Sequence, residues 1–261
     1  MTWLKIKFAV GLSVVTLIAG GAATVAISQT SGDGKLATEE IFKNAQAAYA
    51  SLTSYSDEGK TVALLNGTTI THTFSVKLGR PDFYRIEWVQ SSESVGYKSA
   101  SDKQVVWSEG KGDFLEMFGH AQKQSDKNSA LAGATGISGG AAATVPGTFF
   151  KMNWGNQLGG PVAEKKRQAD EKVGDVDCYV FNSELKGSTR IMWIGKQDFL
   201  IHQVRTVTSA AAMKAMMADA AKRNPEIAAR MPKREYTDST STETHEHIVV
   251  NQTFSPSDFA R

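Results

Sequence analysis

Hydrophobic positions along the chain follow a helical period first and a strand period for most of the remainder. Leu36, Ile41, Phe42, Ala45, Ala48, Tyr49 and Leu52 make one apolar stripe. They predict a helix over residues 38–52, with Thr38 as its cap and Glu39 and Glu40 in the first turn, where the helix dipole favours anions. From Ser54 the period becomes two. Residues 54–65 and 68–78 flank Asn66-Gly67, the strongest short hairpin signal. In the second of these strands Ile70, His72, Phe74, Val76 and Leu78 share one face, while Thr69, Thr71, Thr73, Ser75 and Lys77 share the other. The sheet therefore has one apolar and one wet face. Residues 83–89, 95–98 and 104–108 continue the meander, and a further short strand at 114–118 follows the turn at 110–113.

Two stretches break this rhythm. Residues 125–145 are rich in Ala, Gly and Ser, and predict a short helix over 128–135 with a flexible continuation through Gly139-Gly140, the pattern of a mobile lid or loop. Strands resume at 162–169, 177–182, 189–194 and 199–207. Met213, Met216, Met217, Ala220 and Ala221 then give a second helix with a Met-rich face, ending before Asn224-Pro225, with a helical turn following up to Arg230. A last strand covers 242–251. No repeat and no linker interrupts residues 36–261, so the prediction is one domain of the α+β class, mainly β: an antiparallel sheet with an N-terminal helix and two helical excursions.

The first thirty residues differ. Lys5 and Lys7 precede an uncharged run from Phe8 to Ile27, long enough to span a bilayer core. Its strongly apolar first half and small-residue second half, with Ala26-Ile27-Ser28 as a cleavage site, fit a secretory signal. The same run fits an uncleaved anchor with its lysines on the cytoplasmic side. Residues 1–30 are thus expected to direct export, residues 31–35 to be a short flexible tether, and the domain to lie in the periplasm or cell envelope, soluble or anchored.

A formal net charge of +2 and the absence of a basic stripe argue against a nucleic-acid partner; Lys165-Lys166-Arg167 is diluted by Glu164, Asp170 and Glu171. Cys178 is the only cysteine, which excludes an intramolecular disulfide, and its strand setting suits a small buried hydrophobe. Gly136-Ile137-Ser138-Gly139-Gly140 matches G-x-S-x-G, yet the Ala/Gly tract around it lacks the strand-turn-helix that a nucleophile elbow needs. His245 and His247 share a face if their strand is regular, and with His72 they supply a third candidate zinc ligand; two histidines on a half-exposed strand is the plainer reading. No metal, cofactor or enzymatic activity is therefore assigned.

The order of motifs carries a resemblance. A helix is followed by an Asn-Gly hairpin, a strand ending in Arg80-Pro81, an aromatic strand with Trp88, and then Trp107. Later come Gly174-Asp175-Val176-Asp177-Cys178-Tyr179, Met192-Trp193-Ile194, and Val250-Asn251 with Phe254 and Pro256. Over about residues 36–259 this resembles the LolA/LolB-type lipoprotein-localisation proteins, and more closely the broad set of exported LolA-like proteins. The resemblance implies a strongly curved antiparallel sheet forming an incomplete barrel, closed by helical lid insertions. It further implies a hollow that receives acyl chains and, at the position of Arg80, an arginine beside the lid that controls opening.

On that basis the expected function is to hold a lipid acyl group, an acylated lipoprotein or another apolar ligand. Phe74, Tyr84, Ile86, Trp88, Trp107, Phe181 and Trp193 are candidate lining residues, with Arg80 at the mouth and Met213, Met216 and Met217 on a covering helix. The membrane is a further partner through the N-terminal segment if it is retained. Two other readings stand beside this one: an envelope regulatory or protein-interaction module with no small ligand, and a hydrolase using Ser138.

Overall fold

The computed structural model describes residues 36–94, 97–185, 187–223 and 235–261. The predicted export segment, the tether and the turn up to Arg230 lie outside these residues, as do Val95 and Gly96 of one predicted strand.

Helix α1 (Thr38–Ser51) opens the domain and buries Ile41, Phe42, Ala45 and Tyr49. Its cap position is Ala37, whose methyl side chain accepts no hydrogen bond, and Thr38 is the first helical residue and not the cap. Strands β1 (Ser54–Leu65) and β2 (Thr68–Gly79) form the predicted hairpin. Asn66 and Gly67 both have positive φ (49° and 76°), which a two-residue turn of the right twist demands. The Arg80-Pro81 peptide is cis and leads into β3 (Phe83–Ser94). Then follow β4 (Tyr97–Ala100), β5 (Gln104–Ser108), β6 (Asp113–Met117) and β7 (His120–Gln124). The first insertion contains α2 (Lys127–Thr135), capped by the Asp126 carboxylate on the Ser129 amide, and α3 (Thr144–Phe149).

The C-terminal half comprises β8 (Lys166–Arg167), β9 (Glu171–Val173), β10 (Val176–Leu185), β11 (Ser188–Gly195), β12 (Ile201–Thr208), helix α4 (Ala210–Arg223) and β13 (Ser239–Val250). The strand expected over 162–169 is reduced to a single 3-10 turn, Val162–Glu164, and the two-residue β8. Its run of charges offers no apolar alternation to bury.

All thirteen strands belong to one antiparallel sheet in the order β7-β6-β5-β3-β2-β1-β13-β12-β11-β10-β8, with β4 on β3 and β9 on β10. Two meanders are thus joined at the centre, where the first strand pairs with the last. The sheet is curved and does not close, because β7 and β8 are not paired with each other.

The helices α1, α2 and α3 share one apolar cluster with the inner face of the sheet. The first insertion is therefore packed into the core in this state and does not stand out from the sheet as an open loop. Ala130, Leu131, Ala134, Ala141, Ala142, Val145 and Phe149 have no exposed surface. The alanines among them are small enough to bring the backbone of the insertion close to the strands. By contrast α4 leaves Met216 largely exposed, at 55%, with Met213 and Met217 half-buried.

Candidate functional site: an apolar wall under a small-residue cover

Strand parity decides which predicted residues reach the inner face. Leu78, Val76 and Phe74 of β2 stand directly opposite Tyr84, Ile86 and Trp88 of β3, and all six are buried. Phe181 of β10 faces the same core, edge-on to Phe42 of α1 at 4.9 Å. Trp107 and Trp193 do not join them. Ile86 pairs with Val106, so the next residue, Trp107, points to the opposite face, where it stacks on Phe114 at 5.2 Å. Trp193 likewise packs with Cys178 and Val180 on that far face and donates its indole N–H to Glu171 at 2.9 Å. Inward and outward residues alternate along a strand, so an aromatic run cannot all line one wall.

The wall is deepened at Gly59, which sits between Phe74 and His245 in the strand register. A Cβ there would lie 2.3 Å from the Thr244 carbonyl oxygen and 2.5 Å from the Phe74 ring. The ring therefore occupies the side-chain space that glycine leaves open.

Arg80 stands where wall, helix and insertion meet. Its guanidinium donates to the Tyr49 carbonyl at 3.3 Å and the Leu52 carbonyl at 3.4 Å, at the C-terminal end of α1, where a cation complements the helix dipole. It also lies over the Phe149 ring of α3, 4.1 Å from the centroid. Partial burial moves its pKa down from the ordinary arginine value.

A polar chain runs under the cover. The Tyr55 hydroxyl donates to Asp57 Oδ2 at 2.7 Å, and His245 Nδ1 lies 2.7 Å from the same oxygen. His245 Nε2 is 3.3 Å from Glu243 Oε1, close enough for attraction between charges but without hydrogen-bond alignment. Glu243 Oε2 accepts from the Thr144 hydroxyl of α3 at 2.7 Å, which ties the insertion to β13. Burial opposes the charged imidazole, but Asp57 and Glu243 prevail and push the His245 pKa up to about 10. Burial raises the Asp57 pKa against the opposing pull of His245. Sequence reasoning missed Asp57, Thr61, Glu243 and Phe149. A signal was present, because Asp57 and Thr61 share strand parity with Tyr55 and Gly59, at positions where a half-buried strand carries apolar residues.

Other candidates separate. A bulge in β13 between the pairs opposite Ser56 and Glu58, with His247 at φ 52°, turns His247 outward toward Glu58 while His245 points inward. The two imidazoles therefore do not share a face, as a regular strand would require. Among the described residues no three His, Cys, Asp or Glu side chains are grouped to hold a metal. Ser138 is fully buried, donates to the Thr135 carbonyl and accepts from the Ala142 amide. It closes a turn and has no histidine bonded to it. Cys178 is buried, and desolvation pushes its pKa up to about 12, the setting of an inert thiol.

A groove of about 450 Å³ is lined by the outward-facing Glu58, Lys60, Glu87, Lys103, Glu246 and His247 together with Gly59, Phe74 and Trp88 of the wall strands. A cleft of about 330 Å³ lies between Arg80, Phe83, Asn251, Phe254 and Phe259. A third of about 220 Å³ lies beside Gln46, Tyr49 and Lys151. Among the described residues no helix is long and apolar enough to cross a membrane.

No family model and no curated protein matches the chain in sequence. Solved structures do resemble it. LprF from Mycobacterium bovis is 7% identical at a TM-score of 0.46, over 84% of this chain and 94% of that one. The Pseudomonas aeruginosa MucA/MucB complex gives 8% identity and a TM-score of 0.41, over 86% of this chain and 60% of that one. A LolA superfamily protein from Nitrosomonas europaea gives 9% and 0.33, over 87% and 99%.

Proposed function

We propose that this protein is a non-enzymatic binder of an apolar ligand, and that the first insertion occupies the ligand's place until it is displaced. The observation that supports this reading is the mismatch between wall and cover. The wall is built from Leu78, Val76, Phe74, Tyr84, Ile86 and Trp88, whereas much of the cover is Ala and Gly, with Leu131, Val145 and Phe149 as its large buried anchors. Apolar burial is worth about 25 cal/mol per Å², so a long acyl chain gains more on such a wall than methyl groups do. Arg80 over Phe149 is the clasp that holds the cover shut. Retention in the cell envelope, through the N-terminal segment as signal or anchor, belongs to the same proposal.

The test uses Trp88 as reporter, in a variant whose other four tryptophans are replaced by phenylalanine. Doxyl-labelled stearate is expected to quench Trp88 saturably. Unchanged emission up to the probe's solubility limit overturns the proposal.

A second reading follows from one specific observation: the hollow is filled by the chain itself. An insertion that never leaves makes the domain a protein-interaction module. Capture of an envelope protein by a chain whose Trp88 remains unquenched would favour that reading.

A further inference from the structure

Beneath the cover, the wall is interrupted by polar side chains at one level. Thr61 of β1 stands directly opposite His72 of β2 on one side and Glu243 of β13 on the other. Their exposures are 0%, 5% and 6%. Two residues along β1, Gly59 stands opposite His245, whose imidazole is paired to Asp57. Among the described residues three atoms here have no polar partner, Thr61 Oγ1, His72 Nδ1 and Asp57 Oδ1, while Glu243 Oε1 and His245 Nε2 face each other at 3.3 Å without hydrogen-bond alignment. His72 places its Nε2 proton on Gln90 Oε1 at 3.2 Å, which leaves Nδ1 as an acceptor. The group therefore offers acceptors together with one strong donor.

What covers it is the Gly139-Gly140 turn. A Cβ on Gly139 would lie 2.5 Å from His72 Nδ1, and one on Gly140 would lie 2.7 Å from Glu243 Oε2. Bare backbone is thus laid over His72 Nδ1 without satisfying it, and beside Glu243 Oε2, whose partner is the Thr144 hydroxyl.

When the insertion leaves, a plain hydrocarbon on this wall would keep those atoms unpaired, and each unpaired buried polar atom opposes binding. Charged groups already stand here: His245 lies 2.7 Å from Asp57 and 3.3 Å from Glu243, and an added ion would enter among them at a desolvation cost. A hydroxyl both donates and accepts, and adds no charge.

We infer that the level formed by Thr61, His72, Glu243 and His245 is a seat for a hydroxyl group, so that the preferred ligand is a hydroxylated amphiphile and not a bare acyl chain. The inference rests on the displacement reading above. Toward the Arg80 end, β2 carries only the apolar Phe74, Val76 and Leu78 on this face, which leaves a continuous strip for the hydrocarbon part. The hydroxyl can belong to the chain or to a sugar head, and the seat chemistry is the same.

The experiment compares stearate, hydroxystearate with a mid-chain hydroxyl, and octyl glucoside below its micelle concentration, each binding to the full chain and to Thr61→Val. The wild-type chain is expected to bind hydroxystearate about tenfold more tightly than stearate, and Thr61→Val to remove most of that gain, weakening hydroxystearate while stearate, relieved of one unpaired hydroxyl, binds at least as tightly as before. Retained stearate binding also shows that the variant folds. Loss confined to hydroxystearate assigns the hydroxyl to the chain, and loss confined to the glucoside assigns it to a head group; either supports the seat. Equal binding of all three ligands, unaffected by Thr61→Val, overturns the seat and leaves the displacement reading standing. Failure of every ligand to bind overturns both.

Discussion

Truncating Phe149 separates a displaceable cover from an ordinary core. Phe149 is fully buried, lies edge-on to Phe150 with ring centroids 5.0 Å apart, and carries the Arg80 guanidinium on its face. Phe→Ala at such a site costs about 3–5 kcal/mol, including the cavity left behind. If the insertion opens as a unit, this cost falls on the covered state alone. Apparent affinity rises with the fraction of molecules that are open, and every 1.4 kcal/mol is tenfold. Phe149→Ala should therefore tighten stearate binding by roughly a hundredfold, until the open state predominates. Global stability should fall by less than the full cost, because its loss is capped at the free energy of opening. Urea midpoints and Trp88 quenching measure the two quantities. Ile86→Ala, on the wall itself, is the control: it should lower stability by about 2–5 kcal/mol and weaken binding. If Phe149→Ala behaves as Ile86→Ala does, the reasoning fails and the insertion is simply core.

Arg80→Ala removes two bonds to helix carbonyls and the contact with Phe149, so it should also tighten binding; a double-mutant cycle with Phe149→Ala should show coupling of about 0.5–2 kcal/mol, and strict additivity would refute the clasp. Gly59→Ala forces a Cβ onto the Thr244 carbonyl and the Phe74 ring, and should cost at least about 2–3 kcal/mol by urea unfolding; a neutral outcome would contradict the packing. The pKa of His245 is raised from 6.5 to about 10, in an environment of Asp57, Glu243, Tyr55 and Phe74. Its contribution is therefore complete below about pH 6.5 and is lost as pH climbs toward 10, so the urea midpoint should decline between pH 6.5 and 7.5, below the ordinary range of thiols and phenols. His245→Gln should flatten that slope, and an unchanged slope would place the linkage elsewhere.

Fold class was legible because the sheet writes itself in alternation. The β2 pattern, the Asn66-Gly67 turn and the α1 stripe each state a local geometry that the tertiary structure only had to accept. The role of residues 127–150 was not legible, because Ala and Gly carry no periodicity strong enough to show whether they lie on a surface or against a wall. Trp107 and Trp193 misled for a related reason: aromatic content marks a strand but not its face, which is fixed by register, Trp107 opposite Arg85 and Trp193 opposite Val180. The His245–Asp57 pair joins residues 188 positions apart, through a pairing of first with last strand that no local pattern announces. The bulge at His247 reversed a parity that the sequence alone would carry straight through.

The composition of the cover follows if it must be able to leave. Ordering a residue's backbone costs about 1–2 kcal/mol, and glycine loses more freedom than any other residue. An Ala methyl recovers little of that cost by burial, so a segment rich in Ala and Gly stands near balance on its own. Its larger contacts are Leu131 and Val145 in the apolar cluster, Phe149 under Arg80, Phe150 edge-on to Tyr84, Lys127 on Asp82 and Thr144 on Glu243. Segments with few anchors lie at the low end of local stability, where elements that move on ligand binding are found. The wall shows the opposite economy, with large side chains locked in cross-strand pairs from Leu78–Tyr84 to Phe74–Trp88. A rigid wall under a weakly held cover lets a modest ligand preference shift the population, because the ligand has only the small opening free energy to overcome.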